Sequence, residues 1–96
     1  MKLFYTHEAI NDLQRLKEFI EIKNPLAARK VSINLRAGIN KLITFPKMGL
    51  PVSKAPDPEI IRDLYVGKYT ACYLLDNYTI YILRIWHNKE NEKDSS

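Results

Sequence analysis

The chain has 96 residues, 46% hydrophobic and 27% charged, enough for one domain and too little apolar surface for a second core to offset the entropy of ordering its backbone. That balance excludes global disorder. With 15 Lys and Arg against 11 Asp and Glu the net charge is +4, which favours nucleic acid, a nucleoprotein or an acidic protein as partner over a basic one.

Lys2 to Tyr5 alternates as a short opening strand, and Thr6 is placed to cap a following helix. In that helix Ile10, Leu13, Leu16 and Ile20 make one apolar stripe, which assigns Asp12, Arg15, Lys17 and Glu18 to the wet side. Asn24-Pro25 starts a second helix, since Asn accepts orphan amide hydrogen bonds and proline at the first helical position gives up no needed donor. Its stripe runs through Ala28, Val31, Leu35, Ile39 and Leu42 and stops near Phe45-Pro46, with Arg29, Lys30, Arg36 and Lys41 on a solvated face.

From Pro46 to Pro58 four prolines and Gly49 predict a loop. Three strands follow, Glu59 to Val66, Lys68 to Asp76 and Tyr78 to Trp86, turning at Gly67 and at Asp76-Asn77. A two-residue turn at Asp76-Asn77 would set Tyr73 opposite Ile80 and Ala71 opposite Ile82, making Tyr69 and Arg84 neighbours. The expected fold class is α+β, β-α-α-β-β-β, with an α-hairpin on one face of a mainly antiparallel four-stranded sheet. Both faces of the last two strands are apolar, so the side away from the helices is expected to serve as an interface. Residues 1–87 form the domain, and 88–96 read as a polar, flexible tail.

No apolar run has signal-peptide or membrane-spanning length, so the expected location is the cytoplasm, with no membrane partner. Cys72 stands alone, fits a reducing compartment, and reads as a small packed residue rather than a reactive thiol. Two histidines and one cysteine show no ligand spacing, and Gly38, Gly49 and Gly67 are isolated, so neither a metal nor another cofactor is expected.

The order of elements, together with Thr6-His7-Glu8-Ala9, Asp12-Leu13, Asn24-Pro25, Ala27-Ala28, Phe45-Pro46 and Gly49, resembles the RelE/ParE superfamily toxins of type II toxin–antitoxin systems. Arg62-Asp63-Leu64, the Tyr69 to Tyr73 stretch and Ile82-Leu83-Arg84-Ile85-Trp86-His87 continue the likeness, and Arg62-Asp63-Leu64 and Arg84-Ile85-Trp86-His87 place it nearer the ParE branch. The resemblance implies a toxin held in a hetero-oligomer by a cognate antitoxin, with DNA gyrase as the target. In the RelE branch it would instead imply a metal-independent endoribonuclease acting on messenger RNA at the ribosome. A degenerate member would only bind antitoxin and contribute to autoregulation. Thr70 stands where many relatives carry arginine, and Asn88-Lys89-Glu90 replaces a more arginine-rich segment.

RNA cleavage needs a base or acid and cations around the phosphate, and the candidates are His87 with Arg62, Lys68 and Arg84. For target or partner binding the candidates are Arg62, Tyr69, Tyr73, Arg84, Trp86 and His87. Tyr69 could stack on a base, but the simpler role is packing against Arg84; Trp86 could anchor the antitoxin, although a strand-end indole usually packs in the core. Arg62 and Arg84, set in apolar strands, each require a partner such as Asp63 or Glu59, or a target on the exposed face.

Overall fold

The computed structural model describes residues 1–57 and 60–90. In chain order these form β1 (Lys2–Tyr5), α1 (His7–Glu21), α2 (Pro25–Asn40), a 3-10 turn (Lys41–Ile43), β2 (Leu50–Pro51), β3 (Ile61–Val66), β4 (Tyr69–Asp76) and β5 (Thr79–His87). The strands make one sheet in the order β1-β5-β4-β3-β2, antiparallel except where β1 runs parallel to β5.

The α+β class and the succession of elements agree with the reading of the sequence, but the sheet has five strands instead of four. The additional one, β2, lies within the proline-rich stretch, where Leu50 pairs with Asp63 and Pro51 with Arg62. Proline is tolerated because β2 is an edge strand whose outer side needs no ladder partner. β3 begins at Ile61; Glu59, placed at its start, lies outside the described residues.

Both helices start as their cap residues dictate. Thr6 is extended and its Oγ1 accepts from Ala9 N at 3.2 Å; Asn24 Oδ1 accepts from Ala27 N at 3.1 Å with Pro25 at the helix start. Ala28 is buried, and Leu35, Ile39 and Leu42 form one core with Leu64, Ala71, Tyr73, Ile80, Ile82 and Ile85 of the sheet, each large side chain contributing about 1.5–3 kcal/mol. The stripe of α1 is shifted from expectation. Ala9 and Leu16 are buried, Ile10 is 50% exposed, and Asp12, assigned to the wet side, is only 5% exposed.

The β4–β5 hairpin corrects the expected register. The turn is Asn77-Tyr78, with Asn77 at φ 54° and Asp76 paired with Thr79; asparagine is among the few side chains that enter this left-handed region at low cost. Tyr73 therefore faces Ile82, and beyond it one residue, Leu83, bulges out so that Cys72 faces Arg84, Ala71 faces Ile85 and Tyr69 faces His87. The neighbours expected as Tyr69 and Arg84 are not neighbours. The bulge shifts the alternation by one, which sends Ile85 into the core and Arg84 away from it. The Thr6 hydroxyl donates to the bulge carbonyls, Ile82 O at 2.7 Å and Leu83 O at 3.1 Å, so one side chain serves both the helix cap and the bulge.

Candidate functional site

β1 ends opposite Ile82, leaving residues 83–87 of β5 without a strand on that side. Asp12 of α1 fills the gap: its Oδ2 accepts from Ile85 N at 2.9 Å and from Arg84 Nε at 2.8 Å, and its Oδ1 from Arg84 Nη2 at 3.1 Å. Burial would raise the Asp12 carboxyl, but the Arg84 guanidinium, the Ile85 amide and the more distant Arg15 together hold it below its ordinary range. Arg84 keeps 60% of its side chain in solvent, so one arginine is both clamped and accessible.

At the other end of the sheet a second cluster holds the proline loop. Tyr73 is fully buried; its hydroxyl accepts from Gly49 N at 3.0 Å and donates to Pro46 O at 2.7 Å. Arg62, 6% exposed, donates from Nη1 to Gly49 O at 2.8 Å and Lys47 O at 3.4 Å. A Cβ on Gly49 would lie 2.6 Å from Tyr73 Cε1 and 2.9 Å from Asp63 O, so only glycine lets the loop approach so closely. Tyr73 and Arg62, proposed from sequence as partner-binding residues, are here covered by the chain's own loop, and the Arg62 guanidinium serves backbone carbonyls rather than the open face.

His87 closes β5 with its ring edge-on to Tyr69, centroids 5.1 Å apart. Its Nδ1 accepts from Lys89 N at 3.1 Å, which puts the imidazole proton on Nε2. Asn88, Lys89 and Glu90 continue as a helical segment with definite contacts. Asn88 Oδ1 accepts from the Thr70 hydroxyl at 2.5 Å, Asn88 N donates to Lys68 O at 2.9 Å, and Glu90 binds Arg15 at 2.6 Å and His87 N at 3.1 Å. The polar tail read from residue 88 thus begins with three anchored residues; 91–96 lie outside the described residues. Thr70, where arginine was the alternative, is buried under Asn88.

On the face away from the helices, Phe4 stacks on Tyr81 at 5.9 Å, and Phe4 and Tyr65 are 49% and 58% exposed. Trp86 is half-buried there, opposite Thr70, with its indole N–H buried and without a hydrogen-bond partner among the described residues. Asp63 and Cys72 face each other across β3 and β4. Burial raises the Asp63 carboxyl against the Cys72 hydrogen bond that lowers it, while burial and the neighbouring Asp63 push the Cys72 thiol up to about 12.

The four residues suggested for phosphodiester chemistry are not brought together. Lys68, Tyr69 and His87 meet at the β3–β4 turn. Arg62 is four residues along β3 from Val66, which pairs with Tyr69, a separation of roughly 13 Å at strand spacing. Arg84 is drawn to Asp12 around the β5 edge. Among the described residues no group of three or more His, Cys, Asp or Glu side chains is placed to hold a metal ion, and no helix is long and apolar enough to cross a membrane. Asp12, Arg15, Asn88 and Glu90 were missed as site residues. The available signal was Asp12 itself, three residues after Ala9 and four before Leu16, a carboxylate on the packed side of an otherwise apolar stripe.

An α-hairpin on one side of a mainly antiparallel sheet, with Phe4, Tyr65 and Arg84 exposed on the other side and at its rim, is a fold this chain shares with chains of toxin–antitoxin complexes. Residues 3–92 match the family model for the ParE toxin of the type II toxin–antitoxin system parDE, and the chain belongs to that family. Among solved structures, it is similar to a chain of the chromosomal ParDE toxin–antitoxin system from P. aeruginosa, with TM-score 0.77 and 23% identity over 91% of this chain and 95% of that one. It is also similar to a chain of the RelBE2 toxin–antitoxin complex from Mycobacterium tuberculosis, with TM-score 0.61 and 21% identity over 90% and 88% of the two chains. At these identities the likeness is one of fold. No curated protein sequence matches the chain.

Proposed function

We propose that this chain is the toxin of a ParE-type pair, acting in the cytoplasm by binding DNA gyrase and silenced by a cognate antitoxin in a hetero-oligomer. Family membership supports the toxin assignment. The observation that favours capture over RNA cleavage is the commitment of both arginines: Arg62 is buried on loop carbonyls and Arg84 is clamped by Asp12. Only His87 and Lys68 of the candidate catalytic set stand near each other, too few groups to bind a phosphate, activate the 2′-hydroxyl and protonate the leaving oxygen.

A gyrase-binding toxin needs instead a shaped surface with apolar anchors and an arginine that is rigid yet accessible. The open sheet face offers Phe4, Tyr65 and Tyr81, with Arg84 at its margin, and the same face is suited to an antitoxin segment that excludes the target. The test is a supercoiling assay with purified gyrase, relaxed plasmid and the free toxin. Inhibition that added antitoxin reverses is expected. Full supercoiling at saturating toxin rejects the gyrase reading, and unchanged growth on induction without antitoxin would point to a member that only regulates.

A further inference from the structure

We infer that the outward face of α2 binds the phosphate backbone of duplex DNA, through Arg29 and Arg36 along one side of the helix and Lys30 and Lys41 along the other. Seven of the 15 Lys and Arg residues and none of the 11 Asp and Glu residues lie between Ile22 and Pro56, which leaves eight cations against all 11 acids elsewhere. Positive charge is therefore gathered on one block of the fold, centred on α2, and a field of one sign attracts a polyanion.

Burial of Ala28, Leu35 and Ile39 turns the four cations outward, and all four are exposed. Arg29 and Arg36 are about 10 Å apart along the axis and Lys30 and Lys41 about 16 Å. Glu18 and Glu21 of α1 line the groove that Arg36 borders, but none of the four cations forms an ion pair among the described residues. Residues 91–96 bring one lysine and two acids, too few to neutralise the block wherever they lie. Duplex DNA carries about one charge per 1.7 Å of axis, so roughly ten lie along a track of this length, and backbone contacts of this kind need no base readout. Other anionic partners fit less well. α2 has no aromatic side chain on which an unpaired base could stack. Leu26 and Ile33 are its large exposed apolar residues, fewer anchors than an interfacial membrane helix or a protein hot spot uses. The open sheet face lies on the far side of the sheet, so DNA on α2 and a protein there can be held at once, and the inference does not depend on whether gyrase is that protein.

The experiment is a fluorescence-anisotropy titration of a labelled, mixed-sequence DNA duplex with the full chain, repeated across a salt series. Four phosphate contacts predict a slope of about −3.6 for log affinity against log salt, a loss of roughly a hundredfold between about 50 and 200 mM. Arg29→Gln/Arg36→Gln should flatten the slope by about two and cut that loss to roughly tenfold. Lys2→Gln/Lys89→Gln removes the same charge from exposed positions away from α2 and should leave the slope unchanged. An unchanged slope in the Arg29/Arg36 variant, an equal flattening in the Lys2/Lys89 variant, or no binding at low salt up to about 100 µM protein would each overturn the inference. So would tighter binding, at equal anionic charge, to single-stranded DNA, to polyglutamate or to phosphatidylglycerol vesicles.

Discussion

Arg84 reaches around the unpaired edge of β5 and grips Asp12 through two hydrogen bonds, 2.8 Å from Nε and 3.1 Å from Nη2, while the same carboxylate accepts the edge amide of Ile85. The two partners are unequal. Asp12 is buried and Arg84 is 60% exposed, so losing the carboxylate strands a buried N–H whereas losing the guanidinium releases a carboxylate that Arg15, 3.8 Å away, still faces. Asp12→Ala should therefore cost about 2–3 kcal/mol, and Arg84→Ala about 1 kcal/mol or less, because an exposed partner is screened by solvent. Urea unfolding of the two variants checks the asymmetry; equal losses would show that Asp12 acts through the ion pair alone.

The same site sets an acid dependence. The Asp12 carboxyl is held below its ordinary value of 3.8 in the folded chain. Its contribution is present above that value and is lost as the pH falls through the lower folded one. The stability gap between the wild type and Asp12→Asn should be constant from pH 7 to about pH 5 and then close below pH 4, measured by urea midpoints.

Asp63 has the opposite sign. Its Oδ1 is buried with no hydrogen-bond partner among the described residues, and its carboxyl is raised above 3.8, chiefly by burial. Keeping it ionised at neutral pH costs stability, a cost absent below its unfolded value and complete above its folded one. Asp63→Asn should stabilise the chain by about 1 kcal/mol at pH 7 and by nothing near pH 3, in thermal melts at the two pH values. Its neighbour Cys72, with a thiol pushed up to about 12, should resist iodoacetamide at pH 8 until the chain unfolds.

Gly49 and Tyr73 form a close joint between the loop and the sheet. Gly49→Ala would place a methyl 2.6 Å from Tyr73 Cε1, and Tyr73→Phe would remove the hydroxyl that joins Gly49 N to Pro46 O. Each should cost about 2 kcal/mol and lower the melting temperature by roughly 8–16 °C. Loss of folded-state protection at the Gly49 amide, read by hydrogen exchange, distinguishes loop release from global destabilisation.

Much of the fold was legible because local chemistry and packing agree. Thr6 and Asn24 cap the helices they precede, the Ala28 to Leu42 stripe faces the sheet, and the three-strand meander follows its β-branched runs. The hairpin register was not legible, since the positive φ of Asn77 and the Leu83 bulge shift the pairing and no short-range pattern marks a bulge supported by Thr6, more than seventy residues away. β2 escaped notice because two residues carry no periodicity and proline argues against a strand everywhere but at an edge. Of the candidate site, the helix-period count put Asp12 in water, although its role comes from β1 stopping short on β5. Arg62 and Tyr73 read as surface chemistry from their strands alone, whereas the proline loop folds over them.

The mode of action proposed for this ParE-family chain is capture of a macromolecule and not cleavage of RNA. Its most direct test is a paired assay of the wild type and His87→Ala, the one candidate acid–base group, in gyrase supercoiling and in a translating extract with end-labelled message. Both proteins should block supercoiling at similar concentrations and leave the message whole. Unimpaired gyrase, together with codon-positioned cuts made by the wild type and lost in His87→Ala, would contradict it.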